Sequence, residues 1–131
     1  MNRRSTPEAD AQRAIVQVLR FALPRDAIVH HCVNEVTEAG SRGQIRQSIL
    51  VGMGVHTGFA DLIVISGGRV LFLEVKSETG RLRKSQEVFR DTVGAQGFGW
   101  ALVRSVDDAL AALADNGFTS RVRSPARRVA P

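Results

Sequence analysis

Asp61, Glu74 and Lys76 are charged residues in a stretch that otherwise reads as an apolar hairpin, TGFADLIVISGGRVLFLEVK, residues 57–76. Two strand-like runs flank Gly67-Gly68, a strong signal for a two-residue turn whose central positions both need positive φ. With Ser66 opposite Arg69, paired residue numbers sum to 135. Asp61 then faces Glu74, with Cβ atoms about 4.5–5.5 Å apart. Strand alternation puts Lys76 on the face of Glu74. Two opposed carboxylates repel unless a cation lies between them, and their hard oxygens suit Mg²⁺. The competing reading makes Glu74 and Lys76 ordinary strand-end charges, since a Glu-x-Lys triplet alone is common.

The elements around this hairpin must hold those three side chains in place. A first helix begins at Pro7 with Thr6 as N-cap and stops at Pro24. Its core residues are Ile15, Val18, Leu19, Ala22 and Leu23, and Glu8 projects from its start toward the sheet. Glu8 also suits a helix N-terminus on dipole grounds alone. Residues 27–33 read as a strand in which His30 and His31 point to opposite faces, a poor arrangement for a shared metal. Both fit packing or surface roles, and His31, three residues before Asn34, is within reach of a phosphate. Residues 42–51 read as a short helix with Ile45 and Ile49 inward and Arg42 and Arg46 outward. A glycine-rich loop (Gly52, Gly54, Gly58) delivers the chain to Asp61. Leu62, Val64, Leu71, Leu73 and Val75 alternate with Ile63, Ile65, Val70 and Phe72, so both hairpin faces are apolar and helices should cover both. A helix over 83–96 follows, with Val88, Phe89 and Val93 at core spacing and Gln86 near its start. Gln86 either looks back at the open end of the hairpin or is a plain surface glutamine. A strand over 100–103 leads to a last helix capped by Ser105, with Asp107 and Asp108 in its first turn and Gly117 at its stop. This order predicts an α/β fold with a mixed central sheet of about four strands and helices on both faces. One domain is expected over 7–118, between a flexible N-terminus (1–6) and a basic, disordered tail (119–131).

The chain of 131 residues is 44% apolar, enough for one modest core. A single cysteine, Cys32, excludes a disulfide framework and a Cys-based zinc site. No run is long and apolar enough for a membrane span and no secretory pattern opens the chain, which predicts a soluble, cytoplasmic protein with no membrane partner. The net charge of +5 comes from the ends: six arginines there leave twelve basic against thirteen acidic residues in the body. Within the body, residues 42–90 hold eight basic and four acidic residues, gathering positive charge around the hairpin as a polyphosphate partner requires. Solubility alone is the bland account of the same charges. Sixteen of the eighteen basic residues are arginine; only Lys76 and Lys84 are lysine, so a lysine at the strand end suggests a need for a compact ammonium.

In order, the residues resemble the PD-(D/E)xK nuclease superfamily and, more closely, its VRR-NUC branch. The carriers are Glu8 and Gln12 on the first helix, His31 and Asn34 at the end of the first strand, Gly58 and Asp61, Glu74 and Lys76, and Gln86 opening the next helix. The likeness spans about residues 8–115. Ala60 stands where the family often has proline before the aspartate, and Arg83 where it often has serine. The resemblance implies a restriction-endonuclease-like core and a nuclease with Mg²⁺ or Mn²⁺ as cofactor. Asp61, Glu74 and the Val75 carbonyl would hold the metal and Glu8 would complete its shell. Lys76 would position the attacking water, and Gln86 would hold the geometry. His31, Asn34, Arg42, Arg46, Arg81, Arg83 and Lys84 would contact DNA. It further implies structured or branched DNA as substrate, in repair, recombination or phage replication, and a homodimer; no helicase or repair partner is specified. The alternative is a non-catalytic nucleic-acid-binding module on the same fold.

Overall fold

The computed structural model describes residues 5–33 and 40–125. Its elements run α1 (Pro7–Ala22), β1 (Ile28–His31), α2 (Gly40–Gly52), β2 (Leu62–Ser66), β3 (Arg69–Val75), α3 (Lys84–Ala95), β4 (Gly99–Val103) and α4 (Val106–Asp115). The sheet order is β1-β2-β3-β4, with β1–β2 and β2–β3 antiparallel and β4 parallel to β3. The hairpin register is Ser66 opposite Arg69 through Leu62 opposite Leu73. It is set by Gly67 and Gly68, both at positive φ (60° and 75°), which gives the turn a twist matching the strands.

The helices α1 and α4 start or stop for local reasons. The Thr6 hydroxyl accepts the Ala9 N–H at 3.1 Å, and Pro7 supplies no N–H where none is needed. Ser105 caps α4 by accepting from the Asp108 N–H at 3.1 Å. At the other end of α4, Gly117 (φ 73°) lets the Phe118 N–H return to the Leu113 carbonyl and its own N–H to Ala114, closing a Schellman motif.

The two sheet faces bury two clusters. On one, Ile15, Leu19 and Leu23 of the α1 region and Leu110 and Leu113 of α4 pack on Leu62, Val64, Leu71, Leu73, Val75 and Val103. On the other, Phe89 and Val93 of α3 pack on Phe72 and Ala60, with Phe59 and Trp100 at the margin. Phe72 meets Phe89 edge-on with ring centroids 5.3 Å apart. The architecture is α/β, a mixed four-stranded sheet with helices on both faces, as the sequence predicts. Among the described residues, no helix is long and apolar enough to cross a membrane.

Four expectations need correction. Ile45 and Ile49 do not point inward: they are 61% and 57% exposed, and it is Gly43 that α2 buries. Apolar spacing alone does not say which side of a helix meets the protein, and here the small, polar side does. Val88 is likewise half-exposed, because Phe89 and Val93 fill the α3 contact. Residues 119–125 do not begin a disordered tail. The Arg121 N–H donates to the Ala22 carbonyl at 2.9 Å, its guanidinium lies 5.3 Å from the Phe21 ring, and Val122 packs on the larger core. Arginine-rich composition hides that one apolar anchor. The first strand is also shorter than expected, though the Cys32 N–H extends its pairing by donating to the Asp61 carbonyl at 2.8 Å. Asn34 lies outside the described residues.

Candidate active site

Asp61 enters the site at the start of β2, held from two sides. Its backbone carbonyl pairs with Cys32 beyond β1, and its carboxylate Oδ2 accepts the Val75 N–H of β3 at 2.8 Å. Continuing the hairpin register by one step brings it opposite Glu74, and the two carboxyl groups interact directly. Asp61, Glu74 and Lys76 are 5%, 1% and 7% exposed, which for three charged side chains demands mutual compensation. The compensation is incomplete. The Lys76 Nζ lies 3.8 Å from Glu74 Oε1, a loose pair, and one ammonium faces two carboxylates.

Gln86 occupies the third side. Its Oε1 accepts the Arg83 N–H at 2.8 Å, capping the first turn of α3, and its Nε2 donates to Glu74 Oε1 at 3.0 Å. The backbone N–H can only donate, so it fixes which end of the amide faces the carboxylate. Gly58 makes this approach possible. At φ 83° its backbone lies against Ser85 and Gln86, and a Cβ there would collide with the Ser85 carbonyl.

Glu74 Oε2 is buried with no donor from the protein. Two carboxylates are acceptors only, so the contact with Asp61 is a hydrogen bond only if a proton lies between them. Accordingly the Glu74 carboxyl is pushed up to about 9, first by burial, then by the Asp61 charge and their hydrogen bond; Lys76 opposes the shift and Glu8 adds to it. Without metal, Glu74 is protonated at neutral pH. Two buried carboxyl groups side by side, one with an oxygen that no protein donor reaches, mark a place a small hard cation fits. Among the described residues no group of three or more His, Cys, Asp and Glu forms a ready-made cluster, so any shell needs oxygens beyond those of Asp61 and Glu74. Cys32 stays a protonated thiol: burial, and then the Asp61 charge, push it up.

Asp61 and Lys76 lie on a cavity of about 1230 Å³ into which the first turns of α1, α2 and α3 also open. Of the residues singled out in the sequence, Glu8, Gln12, His31, Arg83 and Gln86 line it too. Arg42 and Arg46 do not; they share the outer side of α2 with Ile45 and Ile49. Arg81 and Lys84 are exposed outside its lining. Sequence reading missed Arg13, Gln44, Gln47 and His56 on the cavity wall. The glutamines lie at i, i+3 on α2, a polar stripe that could have signalled its inward face.

Neither a family model nor a curated protein matches the chain. Among solved structures it is similar to a VRR_NUC domain protein, with 14% identity, a TM-score of 0.60, and coverage of 87% of this chain and 90% of that one. The fold is that of a VRR-NUC domain. In the VRR-NUC fold of this chain, the paired carboxylates, the lysine and the glutamine stand at one end of β2 and β3, where the cavity opens.

Proposed function

We propose that this chain is a Mg²⁺- or Mn²⁺-dependent nuclease that hydrolyses phosphodiester bonds in DNA, with branched or otherwise structured DNA as its substrate. The observation that carries the reading is the buried Asp61–Glu74 pair, with one Glu74 oxygen that no protein donor reaches and an ammonium 3.8 Å from the other. The shared fold with a VRR_NUC domain protein supports it.

Asp61, Glu74 and the Val75 carbonyl would hold the metal, and Glu8, whose charge reaches Glu74, would complete its surroundings. When bound, the metal polarises the phosphoryl group and makes water a better nucleophile at neutral pH. The protein's own groups do the rest. Lys76 places a compact positive charge at the cluster, where it orients water and offsets charge building on phosphorus. Gln86 fixes the Glu74 carboxyl through Nε2, so that the group does not rotate as its proton leaves. The Val75 N–H fixes Asp61 in the same way. His31 and Arg83, on the cavity wall, suit backbone phosphates, so recognition rests on charge and shape more than on base edges. A domain this small offers little footprint for a branched duplex, and a homodimer would double it; light scattering on the purified chain tests that.

The test is incubation with duplex, single-stranded, flap and four-way-junction DNA in Mg²⁺, Mn²⁺ or EDTA. Metal-dependent cleavage, lost in Asp61→Asn and Lys76→Ala, is the expected result. Salt-sensitive binding with no cut product in any metal would leave a DNA-binding module instead.

A further inference from the structure

Arg104 follows β4 directly and lies beside the segment that leaves β3. Because β3 and β4 are parallel and in register to Val75 opposite Val103, both chains emerge at the same end of the sheet. There the Lys76 N–H donates to the Val103 carbonyl at 3.1 Å, carrying the pairing one residue further. The chain after Lys76 then turns sharply, and three of its carbonyls, those of Ser77, Glu78 and Gly80, converge. Arg104 meets all three with one nitrogen: Nη1 donates to Ser77 at 2.5 Å and Gly80 at 2.7 Å, with Glu78 at 3.2 Å. Its own backbone is pinned in turn, its N–H donating to Asp108 Oδ2 at 2.9 Å in the first turn of α4.

The turn that Arg104 holds closes back on Lys76. A Cβ built on Gly80 would lie 3.3 Å from Lys76 Cβ and 3.4 Å from its Cδ. Gly80 therefore runs alongside the aliphatic stem of the lysine, with little room for a side chain between them. The same segment leads to Arg83 and hence to Gln86, the other group on Glu74 Oε1. A planar guanidinium suits the task, since it carries several donors in a fixed fork and is always charged.

We infer that Arg104 is a positioning residue for Lys76. It touches no reacting group. It locks the Ser77–Gly80 turn, which holds the lysine stem so that Nζ reaches Glu74. The inference rests on the nuclease reading only for its consequence on turnover; the placement of Lys76 is separately measurable.

The chain contains only two lysines, Lys76 and Lys84, so selective lysine labelling gives two side-chain NMR signals, assigned by Lys84→Arg. Arg104→Ala should move or broaden the Lys76 signal and leave that of Lys84 in place. It should also lower kcat for DNA cleavage by about tenfold or more, the scale for groups that orient a metal site from behind, with KM within about twofold. If Arg104→Ala does not fold, Arg104→Gln, shorter and with a single amide, serves in its place. A Lys76 signal unmoved in a folded variant overturns the inference, whatever the activity. So does a loss that falls on KM with kcat intact. If the wild-type chain cuts no DNA, the nuclease reading fails, and the NMR signal alone still decides the role of Arg104.

Discussion

Glu74 keeps its proton in the metal-free protein because burial and Asp61 together outweigh Lys76. That has a consequence for stability. The unfolded chain loses this proton near the ordinary value of 4.5, whereas the folded chain holds it to about 9. Between those limits the folded state binds more protons, so this group's contribution is full below the lower limit and declines as pH rises toward 9. Chemical denaturation of the metal-free protein from pH 5 to 9 should show that decline, and Asp61→Asn should flatten it by removing the opposing charge. A decline unchanged in Asp61→Asn would mean that the two carboxyls do not interact. Gln86→Ala should lower cleavage by about 10–100-fold while leaving the fold intact, the usual cost of losing a group that orients a metal ligand; kcat measured beside a melting curve checks it. At this scale Asp61, Glu74 and Lys76 were legible in the sequence because a two-residue turn converts residue numbers into neighbours. Arg104 was not, because its partners lie 24 to 27 residues away and no local pattern links them.

The hairpin, the capped helices and the order of elements follow from local chemistry, chiefly Thr6, Ser105, Gly67-Gly68 and Gly117. The sense of α2 does not. Ile45 and Ile49 have the spacing of a buried face, yet the small and polar residues Gly43, Gln44 and Gln47 line the cavity. Ile49→Ser should therefore change stability by no more than about 0.5 kcal/mol, as exposed sites do. Leu19→Ala, fully buried between α1 and the sheet, should cost about 2–5 kcal/mol. Urea unfolding of both variants makes the comparison, and equal losses would restore the inward reading of Ile49. Gly58 belongs to this scale as well, since it lets the loop before β2 touch the first turn of α3 backbone to backbone. Gly58→Ala should cost about 1–3 kcal/mol from strain at positive φ and should separate Gln86 from Glu74.

Across the whole molecule, Asp61 and Lys76 lie on a cavity where three helices begin, and positive helix ends there favour a polyanion near the site. Excess arginine at the C-terminus is anchored by Arg121 and Val122, which fasten the chain to the end of α1 before residue 126. A truncation meant to probe binding should therefore keep residues 119–125. Deleting 126–131 removes Arg127 and Arg128, and if both meet phosphates the slope of log K against log salt should fall by about 2, with no loss of folding. An unchanged slope would show that these arginines take no part.

A divalent metal at Asp61 and Glu74 would displace the proton that Glu74 holds in its absence. Calorimetric titration of the metal-free protein with Mn²⁺ near neutral pH, in two buffers of different ionisation enthalpy, tests that displacement directly. The expected result is binding that releases a proton, strengthens as pH rises toward 9, and is abolished by Asp61→Asn and by Glu74→Ala. Binding of equal strength in those variants, or no binding by the wild-type chain, would contradict it.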